Sequence, residues 1–243
     1  MKKAFSFVLV IVMTFSLAAC TTGANQQGSA DQTGKSTQDS GMTEAESFST
    51  GLSESDGQTD TENREGGILV AYFSWADNAV LADDVDAVSS PSVIPPGNVQ
   101  QLAGWVQQQT GGDLFSIQVT DPYSSDWDEC LDRANQERGD DARPLLKANV
   151  ENMDQYNTVF LGYPNWWYGV PMALLSFLEQ NDFSGKQGYL FCSHGTGGLA
   201  QSVDIITEAL PDAQISDNIF DCYEQDAFSS QADIQNWLAG LGY

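Results

Sequence analysis

The sequence predicts an α/β domain in which a parallel sheet of five strands is covered by helices on both faces. Short apolar runs rich in β-branched and aromatic residues alternate with segments whose apolar residues recur at i, i+3, i+4 and i+7. The first run is apolar throughout, as expected for a parallel strand that is buried on both faces. The loops after the first, third and fourth runs are rich in Gly, Ser, Asn and aromatic residues, and such loops meet at one edge of a parallel sheet.

The strands are expected where these apolar runs occur, at residues 68–73, 113–119, 158–161, 188–192 and 215–222. Gly162 and Pro164 follow the third run at once, which is typical of the end of a buried strand. Ser74 ends the first strand. Residues 75–96, with three prolines among them, then form a long connection to the first helix.

Five helices are expected between and after these strands. The first opens at Gly97-Asn98-Val99, and the second runs through Trp127, Cys130, Leu131 and Ala134 and ends before Pro144. The third spans about Val170 to Gln180, the fourth starts in the Ser193–Gly198 loop and stops at Pro211, and the last carries Ile234, Trp237, Leu238 and Leu241. Ser230 and Asp233 have the spacing of a capping box at the start of this last helix.

The first 20 residues are typical of a bacterial lipoprotein signal peptide. Two lysines precede a run of sixteen almost wholly apolar residues, which is shorter than the roughly 20 residues that span a bilayer. Leu17-Ala18-Ala19-Cys20 then resembles a lipobox. We therefore expect Cys20 to carry lipid and to anchor the protein on the extracytoplasmic face of the cell membrane. A plain secretory signal that is cut elsewhere is the alternative.

The composition changes twice along the rest of the chain. Residues 21–66 contain six apolar residues among 46, too few to offset the entropy of ordering, and are expected to form a disordered tether. Residues 67–243 are long enough for one domain, and carry 25 Asp and Glu against five Lys and Arg, a formal net charge of −20. Nucleic acid is excluded as a partner because binding its phosphates requires clustered cations.

The cysteines and the single histidine of the domain exclude several kinds of site. Cys130, Cys192 and Cys222 show no CxxC spacing, so neither a disulfide framework nor a zinc site is indicated. Cys192 and Cys222 lie near the ends of strands expected to be neighbours, so both one disulfide and free thiols stay open. His194 cannot form a two-histidine zinc motif, and Ser193 beside it lacks the G-x-S-x-G elbow of a serine hydrolase.

Three large aromatic residues, Trp166, Trp167 and Tyr168, lie in the loop after the third strand. Ligands bind at the carboxyl ends of strands in such sheets, and exposed indole and phenol faces suit a flat aromatic ligand. A hydrophobic lid over the edge of the sheet is the alternative. Two adjacent indoles do not easily stack on the same ring. We therefore expect Trp167 to face the ligand with Tyr168 at its rim, and Trp166 to pack against the sheet.

Two further loops have features of a binding site. A helix that starts at Gly97 offers free amides and a positive dipole end, so it can bind a phosphate beside Ser74 although no Lys or Arg lies between Ile68 and Asp132. An ordinary turn with a helix cap is the alternative. The glycines at 195, 197 and 198 allow close approach of a ligand. His194 is then a donor at the ligand's edge, or a loop histidine without such a role.

Four segments together carry a family resemblance. They are the first strand with Ser74, the Gly97-Asn98 helix start, the stretch Gly162-Tyr163-Pro164-Asn165-Trp166-Trp167, and Phe191-Cys192-Ser193-His194-Gly195. In order and spacing they resemble bacterial flavodoxin-like proteins of the branch with a long insertion in the phosphate loop. The resemblance covers nearly all of residues 67–243, and its most specific part is Tyr-Pro-Asn-Trp-Trp.

This resemblance implies a five-stranded flavodoxin-like sheet of order 2-1-3-4-5 that holds FMN noncovalently. The phosphate is then expected on Ser74, Trp75, Gly97, Asn98 and Val99. The isoalloxazine is expected between two loops, against Pro164, Asn165, Trp166, Trp167, Tyr168 and Gly169 on one side and Ser193, His194, Gly195, Thr196, Gly197 and Gly198 on the other.

Two departures from the family pattern reduce the expected affinity for FMN. Val99 stands where the family usually supplies a threonine hydroxyl, and the turn after Ser74 sets Asp77 near the expected phosphate. The resemblance implies an electron carrier or a reductase of quinones or similar small acceptors, with a quinone or a small redox protein as partner. The alternative is a binding module that kept the fold, lost FMN and holds another aromatic ligand or a partner protein.

Overall fold

The structure is a computed structural model of the 243-residue chain, and it describes residues 66–83 and 90–243. The signal peptide expected at residues 1–20, Cys20 itself and all but the last residue of the expected tether lie outside the described residues. Among those described, no helix has the length and apolar character needed to cross a bilayer.

A parallel sheet lies at the centre of the domain. The strands of the described chain are β1 (Gly67–Tyr72), β2 (Ala79–Val80), β3 (Asp113–Ser116), β4 (Tyr123–Ser124), β5 (Tyr156–Pro164), β6 (Gln187–His194), β7 (Gln214–Ile215) and β8 (Phe220–Tyr223). The sheet has the order β3-β1-β5-β6, and both β7 and β8 pair with β6. Every pairing is parallel, and β2 and β4 form a separate two-stranded ribbon. The predicted 2-1-3-4-5 order is confirmed, with two short strands in the last position.

The fifth predicted strand is divided into β7 and β8, because the chain bends at Asp217 between them. The amide of Asn218 donates to Ser216 Oγ at 3.1 Å, a local side-chain bond that competes with the strand ladder. The second predicted strand is shorter than expected for a related reason. Beyond Ser116, the side chain of Asn78 replaces a neighbouring strand as hydrogen-bond partner. Its Nδ2 donates to the carbonyl of Ile117, and its Oδ1 accepts from the amide of Val119.

Six α-helices are present in the described residues: α1 (Trp75–Asn78), α2 (Asn98–Thr110), α3 (Trp127–Gly139), α4 (Met172–Gln180), α5 (Ser202–Ala209) and α6 (Gln231–Gly240). The short α1 falls inside the expected connection. The expected start of α5 in the Ser193–Gly198 loop is wrong, because Gly198 and Ala200 have left-handed φ angles of 60° and 43° that a right-handed helix does not contain. The capping box is also wrong, since Ser230 Oγ donates to the carbonyl of Asp226.

The helices bury the two faces of the sheet separately. On one face, Val70, Tyr72, Phe160 and Phe191 pack against Val99, Leu102 and Val106 of α2 and Ile234 and Leu238 of α6. On the other, Leu69, Ala71, Val159, Leu161 and Leu190 pack against Cys130 of α3, Leu174 and Phe177 of α4 and Ile206 of α5. This alternation along each strand is why the central runs are apolar throughout.

The three cysteines of the domain are free. Cys192 is buried in the layer that contains α4, whereas Cys222 packs against the layer that contains α2. The sheet therefore lies between these two thiols, and the structure favours free thiols over the disulfide that the sequence left open.

One close contact brings α2 down onto the carboxyl edge of the sheet. A Cβ at Gly162 in β5 would lie 2.2 Å from the ring of Phe191 and 3.0 Å from Val99 Cγ1. Only glycine leaves room for these two side chains. As a result the start of α2 lies beside the ends of β1, β5 and β6, where the candidate site is found.

Candidate functional site

The start of α2 is shaped around Ser74. Gly97 is the N-cap of the helix, and no side chain caps it, so the amides of the first turn are left for a ligand. A Cβ at Gly97 would lie 2.4 Å from Ser74 Oγ and 2.8 Å from the carbonyl oxygen of Ser92. Glycine at this position is therefore what allows the hydroxyl of Ser74 to lie against the helix start.

Three polar side-chain atoms at this helix start are buried without a hydrogen-bond partner, namely Ser74 Oγ, Asn98 Oδ1 and Gln100 Oε1, and the first two belong to residues that line a cavity. A buried polar group that lacks a partner costs about 1–3 kcal/mol. The side-chain nitrogen of Asn98, Nδ2, has partners, since it donates to the carbonyl of Glu224 at 2.8 Å and to Ser193 Oγ at 3.2 Å. The helix start therefore offers a hydroxyl that can donate to an anion and an amide oxygen that can accept from a hydroxyl.

A polar cavity of about 150 Å³ opens at this point. Ser74, Ser90, Ser92, Asn98, Val99, Pro164, Ser193, His194 and Glu224 line it, together with residues shared with a second cavity. No lysine or arginine is among the described lining residues. An anion in this cavity would be held by neutral donors alone.

A larger and more apolar cavity of about 280 Å³ continues from the first. Both are lined by Trp75, Trp127, Asn165, Trp166 and Gly195. The remaining wall consists of Cys130, Leu131 and Ala134 of α3 together with Trp167, Tyr168, Thr196 and Gly197. The two cavities together fit an elongated ligand with a polar anionic end and a flat aromatic end.

Trp166 packs down against the edge of the sheet, as the sequence predicted. Its ring meets those of Phe73, Tyr123 and Trp75 nearly at right angles, with centroid distances of 5.4, 5.3 and 6.4 Å. Edge-to-face pairs of this kind are favourable beyond the burial of their area. Trp166 thus packs against the edge of the sheet and also forms part of the wall that the two cavities share.

Trp167 and Tyr168 turn in the other direction, into the wall of the larger cavity. Both have left-handed backbones, with φ angles of 53° and 60°, which are costly for large side chains. The indole of Trp167 donates to the carbonyl of Leu131 in α3 at 3.2 Å, and its ring lies 5.8 Å from the guanidinium carbon of Arg138. Tyr168 is 65% exposed and borders Gly197, where a Cβ would lie 3.0 Å from its ring.

His194 lines the polar cavity, but protein atoms face both of its ring nitrogens. Nδ1 lies 2.7 Å from the carbonyl oxygen of Gly195, and Nε2 lies 2.8 Å from Asp221 Oδ2. The expected role as a donor to the ligand is therefore corrected, since His194 holds the Gly195 peptide instead. Asn165 fixes the same loop by donating to the carbonyls of Gly198 and Leu199 at 2.6 and 3.0 Å.

The carboxylate in the polar cavity is Glu224, and the expectation for Asp77 is wrong. Asp77 lines neither cavity, because it turns towards β3 and accepts a hydrogen bond of 2.6 Å from Ser116 Oγ. Burial, and to a smaller extent the negative charge of the nearby Asp77, raises the pKa of Tyr72 to about 12. Glu224 instead lies in the cavity, with Oε2 at 3.4 Å from Ser90 Oγ.

The structure brings most of the predicted site residues to these two cavities: Ser74, Trp75, Asn98, Val99, Pro164, Asn165, Trp166, Trp167, Tyr168, Ser193, His194, Gly195, Thr196 and Gly197. Gly97, Gly169 and Gly198 line neither cavity, although Gly97 caps α2 beside Ser74. Sequence reasoning missed Ser90, Ser92, Glu224, Trp127, Cys130, Leu131 and Ala134. Those on α3 could have been found, since this helix follows the carboxyl end of the second strand.

Cys130 is a structural thiol of the cavity wall. It is 5% exposed, and burial raises its pKa to about 12, so the thiol is protonated at neutral pH. The thiolate is the nucleophilic form of cysteine. Cys130 therefore contributes apolar surface to the cavity and no nucleophile.

Comparison with known proteins identifies the family of this fold and site. Flavodoxin of Haemophilus influenzae is 25% identical over 118 residues, which are 47% of this chain and 52% of that protein, so the chain spans about half the length of the curated relatives it matches. A candidate flavoprotein from Bacteroides eggerthii has a similar structure, with a TM-score of 0.55, 26% identity and coverage of 73% of this chain and 99% of that one. A candidate flavoprotein from Bacteroides uniformis has a TM-score of 0.56 and 22% identity, and the match covers 72% of this chain and 99% of that one. This is a likeness of fold alone. A family model described as Flavodoxin matches residues 67–240, and the chain therefore belongs to the flavodoxin family.

Proposed function

We propose that the domain binds FMN and transfers electrons, either as a carrier or as a reductase of quinones or similar small acceptors. The observation that carries the proposal is the buried, unpartnered hydroxyl of Ser74 at the uncapped start of α2, next to an apolar cavity with aromatic walls. Bound FMN would supply the electron-transfer chemistry, and the protein its position and electrostatic environment.

The residues present fit FMN at each of its parts. Ser74 Oγ and the free amides of α2 would donate to the phosphate, and Asn98 Oδ1 would accept from a ribityl hydroxyl. Trp167 and Tyr168 would flank the ring system, together with the apolar residues of α3 that line the same cavity. The buried part of this wall would keep water from the side of the ring that it covers, which strengthens the electrostatic influence of the protein there.

The midpoint potential of the FMN-loaded protein tests this role. With a formal net charge of −20 on residues 67–243, the domain disfavours additional negative charge on a bound ring. Spectroelectrochemical titration is expected to give a lower potential than that of free FMN under the same conditions. A potential equal to that of free FMN would show that the protein does not tune the cofactor, against a role in electron transfer.

A second candidate function is a binding module that has lost FMN and holds another aromatic ligand or a partner protein. It is favoured by two features of the polar cavity, namely Val99, which offers no hydroxyl, and the carboxylate of Glu224. Retention of FMN by the purified protein separates the two candidates, because only the first requires it.

We further propose that the domain works outside the cell membrane, held there by lipid on Cys20. The lipobox-like Leu17-Ala18-Ala19-Cys20 and the polar stretch that follows it support this location. At this surface the exchange partner would be a membrane quinone or a small redox protein.

A further inference from the structure

The connection between β1 and α2 returns to the polar cavity at Ser90 and Ser92. Ser90 is 2% exposed, and its Oγ lies 2.7 Å from Ser92 Oγ. The amide of Ser92 also donates to Ser90 Oγ at 3.3 Å. Both residues line the cavity that contains the unpartnered hydroxyl of Ser74. The long connection therefore contributes two hydroxyls to the place where the helix start offers its free amides.

The hydrogens of this serine pair can be arranged in two ways. In one, Ser92 donates to Ser90 and Ser90 donates to Glu224 Oε2, which lies 3.4 Å away. In the other, Ser90 donates to Ser92, whose own hydrogen is then free for a ligand. The contact with Glu224 is long for an O–H···O bond, whereas the contact between the serines is of ordinary length. An anion in the cavity would favour the second arrangement, because it accepts the hydrogen that Ser92 then has free.

Glu224 is held at this place by its own backbone. Its amide donates to the carbonyl of His194 at 2.8 Å, and its carbonyl accepts from Asn98 Nδ2 at 2.8 Å. The carboxylate lies between Ser90 and Gly195, where a Cβ would lie 3.9 Å from Oε1. No Lys or Arg among the described lining residues offsets its charge. A phosphate bound at the start of α2 would therefore meet a like charge across a short distance.

We propose that Ser90, Ser92 and Glu224 set the selectivity of this site between phosphorylated and unphosphorylated flavin. Ser92 donates to the phosphate while Ser90 donates to Ser92 and fixes its hydroxyl, and Glu224 opposes the charge of the phosphate. The inference rests on the proposed binding of FMN. The long connection between β1 and α2 then takes part in ligand recognition, because Ser92 supplies a hydroxyl that the side chain of Val99 does not have.

The test compares the dissociation constants of FMN and riboflavin, measured by quenching of flavin fluorescence with the full chain. Glu224→Gln keeps the shape and removes the charge, so it is expected to tighten FMN about fivefold and to leave riboflavin unchanged. Ser92→Ala is expected to weaken FMN about fivefold, again without an effect on riboflavin. Ser229→Ala, an exposed serine whose Oγ donates to the carbonyl of Asp226, is the matched control and changes neither constant.

Each contrary result has a distinct meaning. If Glu224→Gln weakens FMN and riboflavin equally, Glu224 binds the ribityl hydroxyls that both flavins share, and the proposal is overturned. Unchanged FMN affinity in both variants, with normal FMN binding by the wild type, overturns the proposal and leaves the proposed function standing. Wild-type protein that binds neither flavin overturns both.

Discussion

At the scale of single residues, the two adjacent indoles of the aromatic loop have separate tasks. Trp166 makes three edge-to-face contacts at the edge of the sheet. Replacing it with alanine is expected to lower the free energy of unfolding by about 3 kcal/mol, the usual cost of deleting a packed aromatic ring. Thermal and denaturant unfolding of Trp166→Ala beside the wild type measures this. Unchanged stability would mean that the ring is not part of the core.

For Trp167, replacement is expected to affect FMN affinity more than stability. Its side chain lines the larger cavity and is tied to α3 by one hydrogen bond. Trp167→Ala should therefore weaken FMN binding at least about tenfold through lost stacking and burial, and cost less stability than Trp166→Ala. Titration of both variants with FMN separates the roles. Equal affinity in the wild type and Trp167→Ala would show that the loop is a lid of the sheet.

The divergence of the two indoles could be predicted because it follows from geometry between neighbours in the chain. Which carboxylate lies in the polar cavity could not be predicted from the sequence. Asp77 is three residues from Ser74 but turns to Ser116, whereas Glu224 reaches the cavity from 126 residues beyond Asn98. Which of two carboxylates faces a site depends on strand register and backbone contacts, and these are long-range properties of the fold.

At the scale of elements, the site depends on how closely α2 approaches the end of β1. A Cβ at Gly97 would collide with Ser74 Oγ and the Ser92 carbonyl. Gly97→Ala is therefore expected to reduce FMN affinity at least about tenfold, since the free amides and the Ser74 hydroxyl no longer converge. Gly97→Pro should be at least as harmful, and far more so than removal of any single lysine or arginine.

Gly104 provides the matched control within the same helix. No atom lies within 4 Å of a Cβ at this position, so Gly104→Ala should leave FMN affinity unchanged and stabilise the protein by about 0.5–1 kcal/mol. Titration calorimetry of both variants with FMN makes the comparison. Loss of FMN binding in Gly104→Ala, or none in Gly97→Ala, would contradict the assignment of the phosphate to the helix start.

The elements that could be predicted are those with a strong period. Continuous apolar runs identified the central strands, and the helical spacing of apolar residues identified α2 and α3. The division of the last strand could not be predicted from its apolar pattern. It coincides with a local hydrogen bond from the amide of Asn218 to Ser216 Oγ, which apolar periodicity does not indicate. The apolar pattern alone did not show that α3 forms a wall of the cavity, since Cys130 and Ala134 are as apolar as core residues; only the place of this helix after the second strand indicates it.

At the scale of the whole molecule, stability is expected to decrease in alkaline solution. Burial raises the pKa of Cys130 from near 9 to about 12, that of Cys222 to about 11 and that of Tyr72 to about 12. The folded state therefore keeps protons that the unfolded state releases from about pH 9. These groups should leave the unfolding free energy unchanged just below that pH and lower it towards pH 12.

Urea unfolding at a series of pH values measures this decline. Cys130→Ala removes one of the titrating groups, so its decline should be shallower than that of the wild type. An unfolding free energy that stays constant between pH 9 and 11 would contradict the buried, protonated state of these groups.

The proposed location of the molecule rests on Cys20. Cys20→Ser is expected to release the protein from membranes, because a serine accepts no lipid and no helix of the described residues can anchor the chain. Membrane fractionation of cells that express either form measures the effect. A Cys20→Ser product that still pellets with washed membranes would defeat the proposed anchor.

The central claim is that this flavodoxin-family domain holds FMN. Its most direct test is the visible absorption spectrum of the purified protein after incubation with excess FMN and removal of unbound flavin by desalting. We expect flavin absorption to co-elute with the protein at close to one FMN per chain, and to be lost in Gly97→Ala. A colourless wild-type protein that also fails to quench flavin fluorescence would contradict the claim.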